Sequence, residues 1–382
     1  MSEKTIYLDY CATTPLHPQV LEAMKEPLEH SFGNPSSLHK EGRKAADLLE
    51  HARQQVAGGI GANAHEIVFT SGATEANNLA LSGVLKTQPA ERRHVIIGGV
   101  EHHAVLHAAE ALQAEGCKLT ILPVNPDGRV EIEHLRQALR PDTALVSVIL
   151  VNNEMGSIQP ITELCALTKA HGALFHTDAV QALGTLPVDV AELGVDLLSL
   201  SGHKIYGPKG IGALYVRSGT TLDPLLFGGP QETQRRAGTE NLPGIVGLGA
   251  AIHIVNQHKP VEAHRQSVLR AEFIAGLQER IPEVIVHGSS AHQAPHVISI
   301  AFPGADAEML LFHLDQAGIH ASMGSACNAE AIEPSHVLLA LGLPEEMIEA
   351  TLRFSLGLWT TKAELDQVLE LLPEVVAVTK AA

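Results

Sequence analysis

Lys204 stands in the stretch LLSLSGHKIYGPKG, Leu197 to Gly210, where an apolar run of strand type stops at Ser201-Gly202-His203-Lys204. A strongly hydrated side chain is thereby set where a buried strand meets a glycine-rich turn. Any single lysine reads by default as an exposed loop residue. A lysine desolvated in a pocket is different: its pKa falls and it becomes an amine nucleophile that forms a Schiff base with a carbonyl. The glycines from Gly202 to Gly207 have Walker-like spacing, but Pro208-Lys209-Gly210 follows instead of Gly-Lys-Ser/Thr, which argues against a nucleotide P-loop.

Companions for such a lysine are present. Asp178, in LFHTDAVQ, lies 26 residues upstream at the expected C-terminal end of a strand, where open α/β sheets bind ligands. Read alone, it is equally a helix cap. FTSGATEANNLAL reads as strand, the turn Ser71-Gly72-Ala73-Thr74, then helix, and a helix N-terminus is an anion site. His102, in GGVEHHAV, again follows a strand, where its imidazole could stack on a ring. His103 and His107 have metal-type spacing, but no third ligand is evident and no metal is expected. A lysine amine, a carboxylate, a phosphate cradle and a stacking ring are together what pyridoxal phosphate (PLP) enzymes require.

The elements that must position these residues are legible in the hydropathy pattern. The chain has 382 residues, 45% of them hydrophobic, and a net charge of −17. Single cores stop growing near roughly 250–300 residues, so two domains are expected. The acidic balance argues against nucleic-acid binding. Seven short runs, 66–70, 94–100, 118–124, 143–152, 172–179, 195–202 and 211–217, alternate with helical patterns. Several are continuously apolar, as strands covered on both faces are. This predicts an α/β fold with a mostly parallel seven-stranded sheet. After about Asn256 the pattern changes. A long helix to about Arg280, a strand at 297–302, a helix opened by Asp306, a strand at 351–357 and a capping box at Thr361–Glu364 predict a smaller α+β unit. The expected division is a cofactor-binding domain over 16–256, and a small domain over 257–382 joined by 1–15. Four cysteines without a C-x-x-C pair, no secretory signal and no apolar run of the roughly 20 residues that span a bilayer point to a cytoplasmic protein with no membrane contact.

Eight stretches, YLDYCATTP, FGNPSS, TSGATEANNLA, VNNEMGSIQPI, HTDAVQALG, SGHKIYGPKGIGALYVR, RRAGTEN and GSACNAEAIEPSHVLLALGL, occur in order from about Tyr7 to about Thr360. Together they resemble the cysteine desulfurases of the NifS/IscS type, which are fold-type I PLP enzymes. The resemblance implies that Lys204 carries the cofactor, Asp178 pairs the pyridine nitrogen, Gln181 contacts the ring hydroxyl and His102 stacks on the ring. It assigns the phosphate to Thr74, Ser201 and His203 with backbone from Gly72 and Ala73. Thr239 would reach the phosphate held by the partner subunit, which implies a homodimer. Asn34, Asn153 and Arg353 would hold the carboxylate of L-cysteine.

Cys327, in SMGSACNAE, sits among small residues that favour a mobile loop. A lone cysteine is by default a buried structural thiol; the resemblance instead makes Cys327 the nucleophile that forms a persulfide. Ser322 to His336 resembles the subgroup with the longer loop. Sulfur would pass to an acceptor protein such as an iron–sulfur scaffold. Two details depart from the pattern. Cys11 replaces a smaller or hydroxylated residue, and Glu330 and Glu333 follow the nucleophile, where acidic neighbours would raise a thiol pKa. A selenocysteine lyase or an aminotransferase on the same scaffold is the alternative, since an aminotransferase needs no Cys327.

Overall fold

The computed structural model describes residues 5–324 and 334–380. Twelve strands are present among these residues: β1 (Ile6–Tyr7), β2 (Ile67–Thr70), β3 (His94–Gly98), β4 (Lys118–Leu122), β5 (Thr143–Ser147), β6 (Leu174–Asp178), β7 (Leu197–Ser201), β8 (Gly212–Val216), β9 (Ile285–Val286), β10 (Val297–Ala301), β11 (Ile319–His320) and β12 (Thr351–Ser355). Seven form one sheet in the order β2-β8-β7-β6-β5-β3-β4. Its pairings from β7 to β4 are parallel, and β8 runs antiparallel to both β7 and β2. Each of the seven expected runs holds one of these strands. The central strands β5 and β7 are buried at every position, which explains why their sequences lack alternation.

One expected run is longer than its strand. The apolar stretch 143–152 pairs as β5 only to Ser147. Val148 and Leu150 still donate to His176 and Asp178 backbone oxygens, and Val151 then bridges Ile158. The segment stays apolar because it remains buried after leaving the sheet. The helix that follows begins at Ile161, with Pro160 at the cap position. The Thr361 capping box is formed, Thr361 N–H donating to Glu364 Oε2 at 2.8 Å and Glu364 N–H to Thr361 Oγ1 at 3.3 Å.

A second unit has an antiparallel sheet, β12-β10-β9, and the parallel pair β1-β11. Its core gathers Leu8, Phe302, Leu310, Phe354 and Leu372. A 39-residue helix, Leu242–Arg280, joins it to the larger sheet. Ile245, Leu248, Ile252 and Val255 pack in the core of the seven-stranded sheet, whereas Leu269, Phe273 and Leu277 pack in the second core. The division expected at 256/257 thus falls inside one continuous helix. Among the described residues no helix is long and apolar enough to cross a membrane.

Candidate active site

The strands β2, β3, β5, β6 and β7 point the same way, so their C-terminal ends share one edge of the sheet. A cavity of about 530 Å³ opens there, within the range of small-molecule and cofactor sites. Of the fourteen residues expected at the site, eleven line it: Gly72, Ala73, Thr74, His102, Asn153, Asp178, Gln181, Ser201, His203, Lys204 and Arg353.

Lys204 ends a short 3₁₀ turn, Gly202–Lys204, directly after β7. The turn winds around the carbonyl of Gly202, which accepts from Ile205 and Gly207 N–H at 3.0 Å each. A Cβ at Gly202 would stand 2.9 Å from the Pro208 oxygen, so a side chain there would open the turn. Tyr206 has φ of 64°, a left-handed conformation that costs of order 1–3 kcal/mol. Its N–H donates to Thr14 Oγ1 at 2.8 Å and its hydroxyl accepts from Leu358 N–H at 2.8 Å, fixing this strained residue. The Lys204 ammonium donates to the backbone oxygens of Cys11 at 2.5 Å and Ala12 at 2.8 Å. Lys204 is half-buried and lines the cavity.

Asp178 is the last residue of β6 and is 3% exposed. Oδ2 accepts from Asn77 Nδ2 at 2.7 Å and Oδ1 from Val180 N–H at 3.0 Å. No helix follows Asp178, so the bond to Val180 closes a local turn instead of capping a helix, and the residue lines the cavity. Asn77 lies one turn into the helix Ala73–Thr87, whose N-terminus opens on the cavity with no side-chain cap from Gly72. His102 caps the next helix, Nδ1 accepting from Ala104 N–H at 3.1 Å, which leaves the proton on Nε2. Burial lowers the His102 pKa, against the opposing effect of Asp178, so the ring is neutral. Burial, with Lys204 and Lys209 nearby, brings His203 down to about 4. Gln181 Nε2 donates to the Cys11 oxygen at 2.9 Å.

Arg353 comes from the other sheet, in the middle of β12, and is 1% exposed. It donates to Asp9 Oδ1 at 2.8 Å and to the Asn153 oxygen at 2.9 Å. Its Nε has no partner among the described residues. A buried guanidinium N–H without an acceptor is costly, and an anionic ligand in the cavity would satisfy it.

The other three expected residues stand elsewhere. Asn34 is exposed and its side chain accepts from Ser36 N–H, away from the cavity. Thr239 is exposed and does not line this cavity; its loop is docked by Arg236, which pairs with Glu75 at 2.9 Å beside the mouth. Cys327 lies outside the described residues, as do Glu330 and Glu333. Cys11 does line the cavity, but it is 1% exposed and burial raises its pKa, so it stays a thiol. Among the described residues no three His, Cys, Asp or Glu side chains converge to hold a metal. Two residues that hold the site side chains have no role in the sequence reading: Asn77, bonded to Asp178, and Asp9, bonded to Arg353. Asn77 had a usable signal, lying at i+4 from Ala73 on the helix that opens at the site.

The donor set fits a planar, phosphorylated carbonyl compound: an amine, a carboxylate with two donors, a neutral imidazole and a helix N-terminus surround one cavity. The model of the family described as "Aminotransferase class-V" matches residues 6–368. A "Cysteine desulfurase IscS" of Dictyoglomus turgidum is 47% identical over 374 residues, 98% of this chain and 95% of that one. One of Methanosarcina thermophila is 45% identical over 373 residues, 98% and 92% of the two chains. A solved structure titled "NIFS-LIKE PROTEIN" superposes with a TM-score of 0.93 at 34% identity, covering 98% of this chain and 100% of that chain.

Proposed function

The chain belongs to the class V aminotransferase family, and within it we propose a PLP-dependent cysteine desulfurase that converts L-cysteine to L-alanine and leaves the sulfur on Cys327. The observation that carries this reading is the convergence of Lys204, Asp178, His102 and Arg353 on one cavity from three β-strand ends and a second sheet.

In this reading Lys204 holds the cofactor covalently, Asp178 faces the pyridine nitrogen, Gln181 the ring hydroxyl and His102 the ring face. Thr74, Ser201 and His203, with backbone at Gly72 and Ala73, take the phosphate. When bound, PLP supplies an electron sink for charge developing at the substrate Cα. Arg353, with Asn153, orients the substrate carboxylate, and the unsatisfied Arg353 Nε supports that role. Lys204 Nζ would accept the Cα proton as the base of the site. Cys327, as thiolate, attacks the substrate sulfur, and an acceptor protein collects it. Thr239 completes the phosphate site of the partner subunit, making the working unit a homodimer. A reducing, cytoplasmic setting suits this thiol chemistry.

The test is product identity. The cofactor-loaded protein given L-cysteine and a reducing thiol should release alanine and sulfide in equal amounts without any keto acid. Pyruvate in place of alanine, or a requirement for a keto acid, would overturn the reading in favour of a lyase or an aminotransferase.

A further inference from the structure

Glu154 is a buried acid with no part in the chemistry above. It is 2% exposed and follows Asn153 in the turn of VNNEMG. The turn is closed by Asn152, whose Oδ1 accepts from Glu154 N–H at 2.9 Å and Met155 N–H at 2.8 Å. Asn152 Nδ2 in turn donates to the Val100 oxygen at 2.8 Å. The Asn153 oxygen of the same turn accepts from Arg353. The backbone of Glu154 is therefore part of the floor on which Arg353 rests.

Its carboxylate reaches the other way. Oε2 accepts from Ser335 Oγ at 2.5 Å. A Cβ built on Gly324 would stand 2.8 Å from the same Oε2, so the Gly324 backbone lies directly against the carboxylate. Gly324 has φ of 61°, which a larger residue adopts only with strain. Ser335 also caps the helix His336–Ala340, and His336 Nε2 bonds to the Glu101 oxygen at 2.9 Å. On the incoming side, Ser322 and Arg353 exchange both backbone hydrogen bonds, at 3.1 and 2.6 Å. One oxygen atom thus meets Gly324, the last described residue before Cys327, and Ser335, the second described residue after it.

We propose that Glu154 is a positioning residue for sulfur transfer, tying Gly324 and Ser335 to the turn that carries Asn153 against Arg353. This rests on the desulfurase reading. The step it serves is balanced: the Cys327 thiolate forms an S–S bond to the substrate sulfur while the Cβ–S bond breaks. The electron pair stays with the carbon skeleton, which gains a proton and leaves as alanine. Carbon is reduced and sulfur oxidised, so no outside oxidant enters. The reaction needs the substrate held through Arg353 and the chain on either side of Cys327 anchored nearby, and Glu154 touches both anchors, Gly324 and Ser335, from the turn that bonds Arg353.

The experiment uses the cofactor-loaded full chain with Glu154→Ala, Glu154→Gln and Ser335→Ala. Cofactor content and affinity for L-alanine, which engages Arg353 but needs no thiol, should stay within about twofold of wild type. Single-turnover persulfide formation on Cys327 should fall by about 10²-fold in Glu154→Ala, the scale of a 1 Å misplacement. Glu154→Gln, which keeps an acceptor for Ser335, should recover part of that loss. Ser335→Ala should slow wild type but add little in the Glu154→Ala background, as partners in one contact do. Glu154→Gln and Ser335→Ala preserve the volume of the site and carry the test if Glu154→Ala does not fold. Persulfide formation at the wild-type rate in Glu154→Gln, Glu154→Ala and Ser335→Ala alike overturns the proposal, as does an equal loss of L-alanine affinity. A wild-type protein that forms no persulfide on Cys327 overturns the desulfurase reading instead.

Discussion

Arg353 shows at the scale of one residue how burial becomes specificity. Its guanidinium is inside the protein, two of its nitrogens are bonded and Nε is left for a ligand. A hydrogen bond to a charged group contributes about 1.5–3 kcal/mol, so Arg353→Gln should raise KM for L-cysteine by roughly 10- to 100-fold. Cofactor content should not change, and steady-state kinetics beside absorbance would separate the two effects. Lys204→Ala should abolish the visible absorption of the covalently held cofactor and lower turnover by about 10²–10⁴-fold or more. An unchanged spectrum would remove Lys204 from its assigned role. Lys204, Asp178 and His102 were legible because each ends or closely follows an apolar strand run, whereas Arg353 was assigned through the resemblance alone. Asp9 was not legible, because its pairing with Arg353 spans 344 positions and no local pattern encodes it.

At the scale of elements, the site depends on how closely two backbones approach. Gly212 starts β8 opposite Ser201 of β7 and Thr70 of β2. A Cβ there would stand 2.5 Å from the Leu200 oxygen and 2.7 Å from the Gly72 carbonyl carbon. Gly212→Ala should therefore push Gly72 and the start of the helix Ala73–Thr87 away from the cavity. We expect a stability loss of about 1–3 kcal/mol in urea and faster release of cofactor. Gly58→Ala, in a helix with open space around the new methyl group, should be neutral or stabilising by up to about 1 kcal/mol. Equal effects of the two substitutions would contradict the argument. The strands themselves were readable because both faces are covered, giving unbroken apolar runs. Their ends were less so: Val148 to Asn152 keep a strand's composition because they stay buried after the pairing of β5 stops, with Ile149 lining the cavity.

At the scale of the whole molecule, acid stability should be governed by buried neutral histidines. His176, His94, His287 and His296 are all buried, and burial lowers them to about 3, 4, 4 and 4. His176 bridges three strands through Ser147 Oγ at 2.8 Å and Ser199 Oγ at 3.0 Å. A histidine whose folded pKa is depressed binds its proton more readily when unfolded. Its contribution is complete above about pH 6.5 and is lost as pH falls toward the folded value, at no more than about 1.4 kcal/mol per pH unit for each group. Thermal unfolding followed from pH 7 to pH 4 should show a falling midpoint, with His176→Gln reducing the slope. A flat profile would mean these rings are not held neutral. The site joins both sheets, since Lys204, Asp178 and His102 follow strands of the large one while Arg353 belongs to the small unit. The decisive measurement exposes the cofactor-loaded protein once to L-cysteine and weighs its cysteine-containing peptides. One added sulfur atom on the Cys327 peptide, matched by one alanine, is expected, and neither product in Cys327→Ala. Alanine released by Cys327→Ala at the wild-type rate would contradict this.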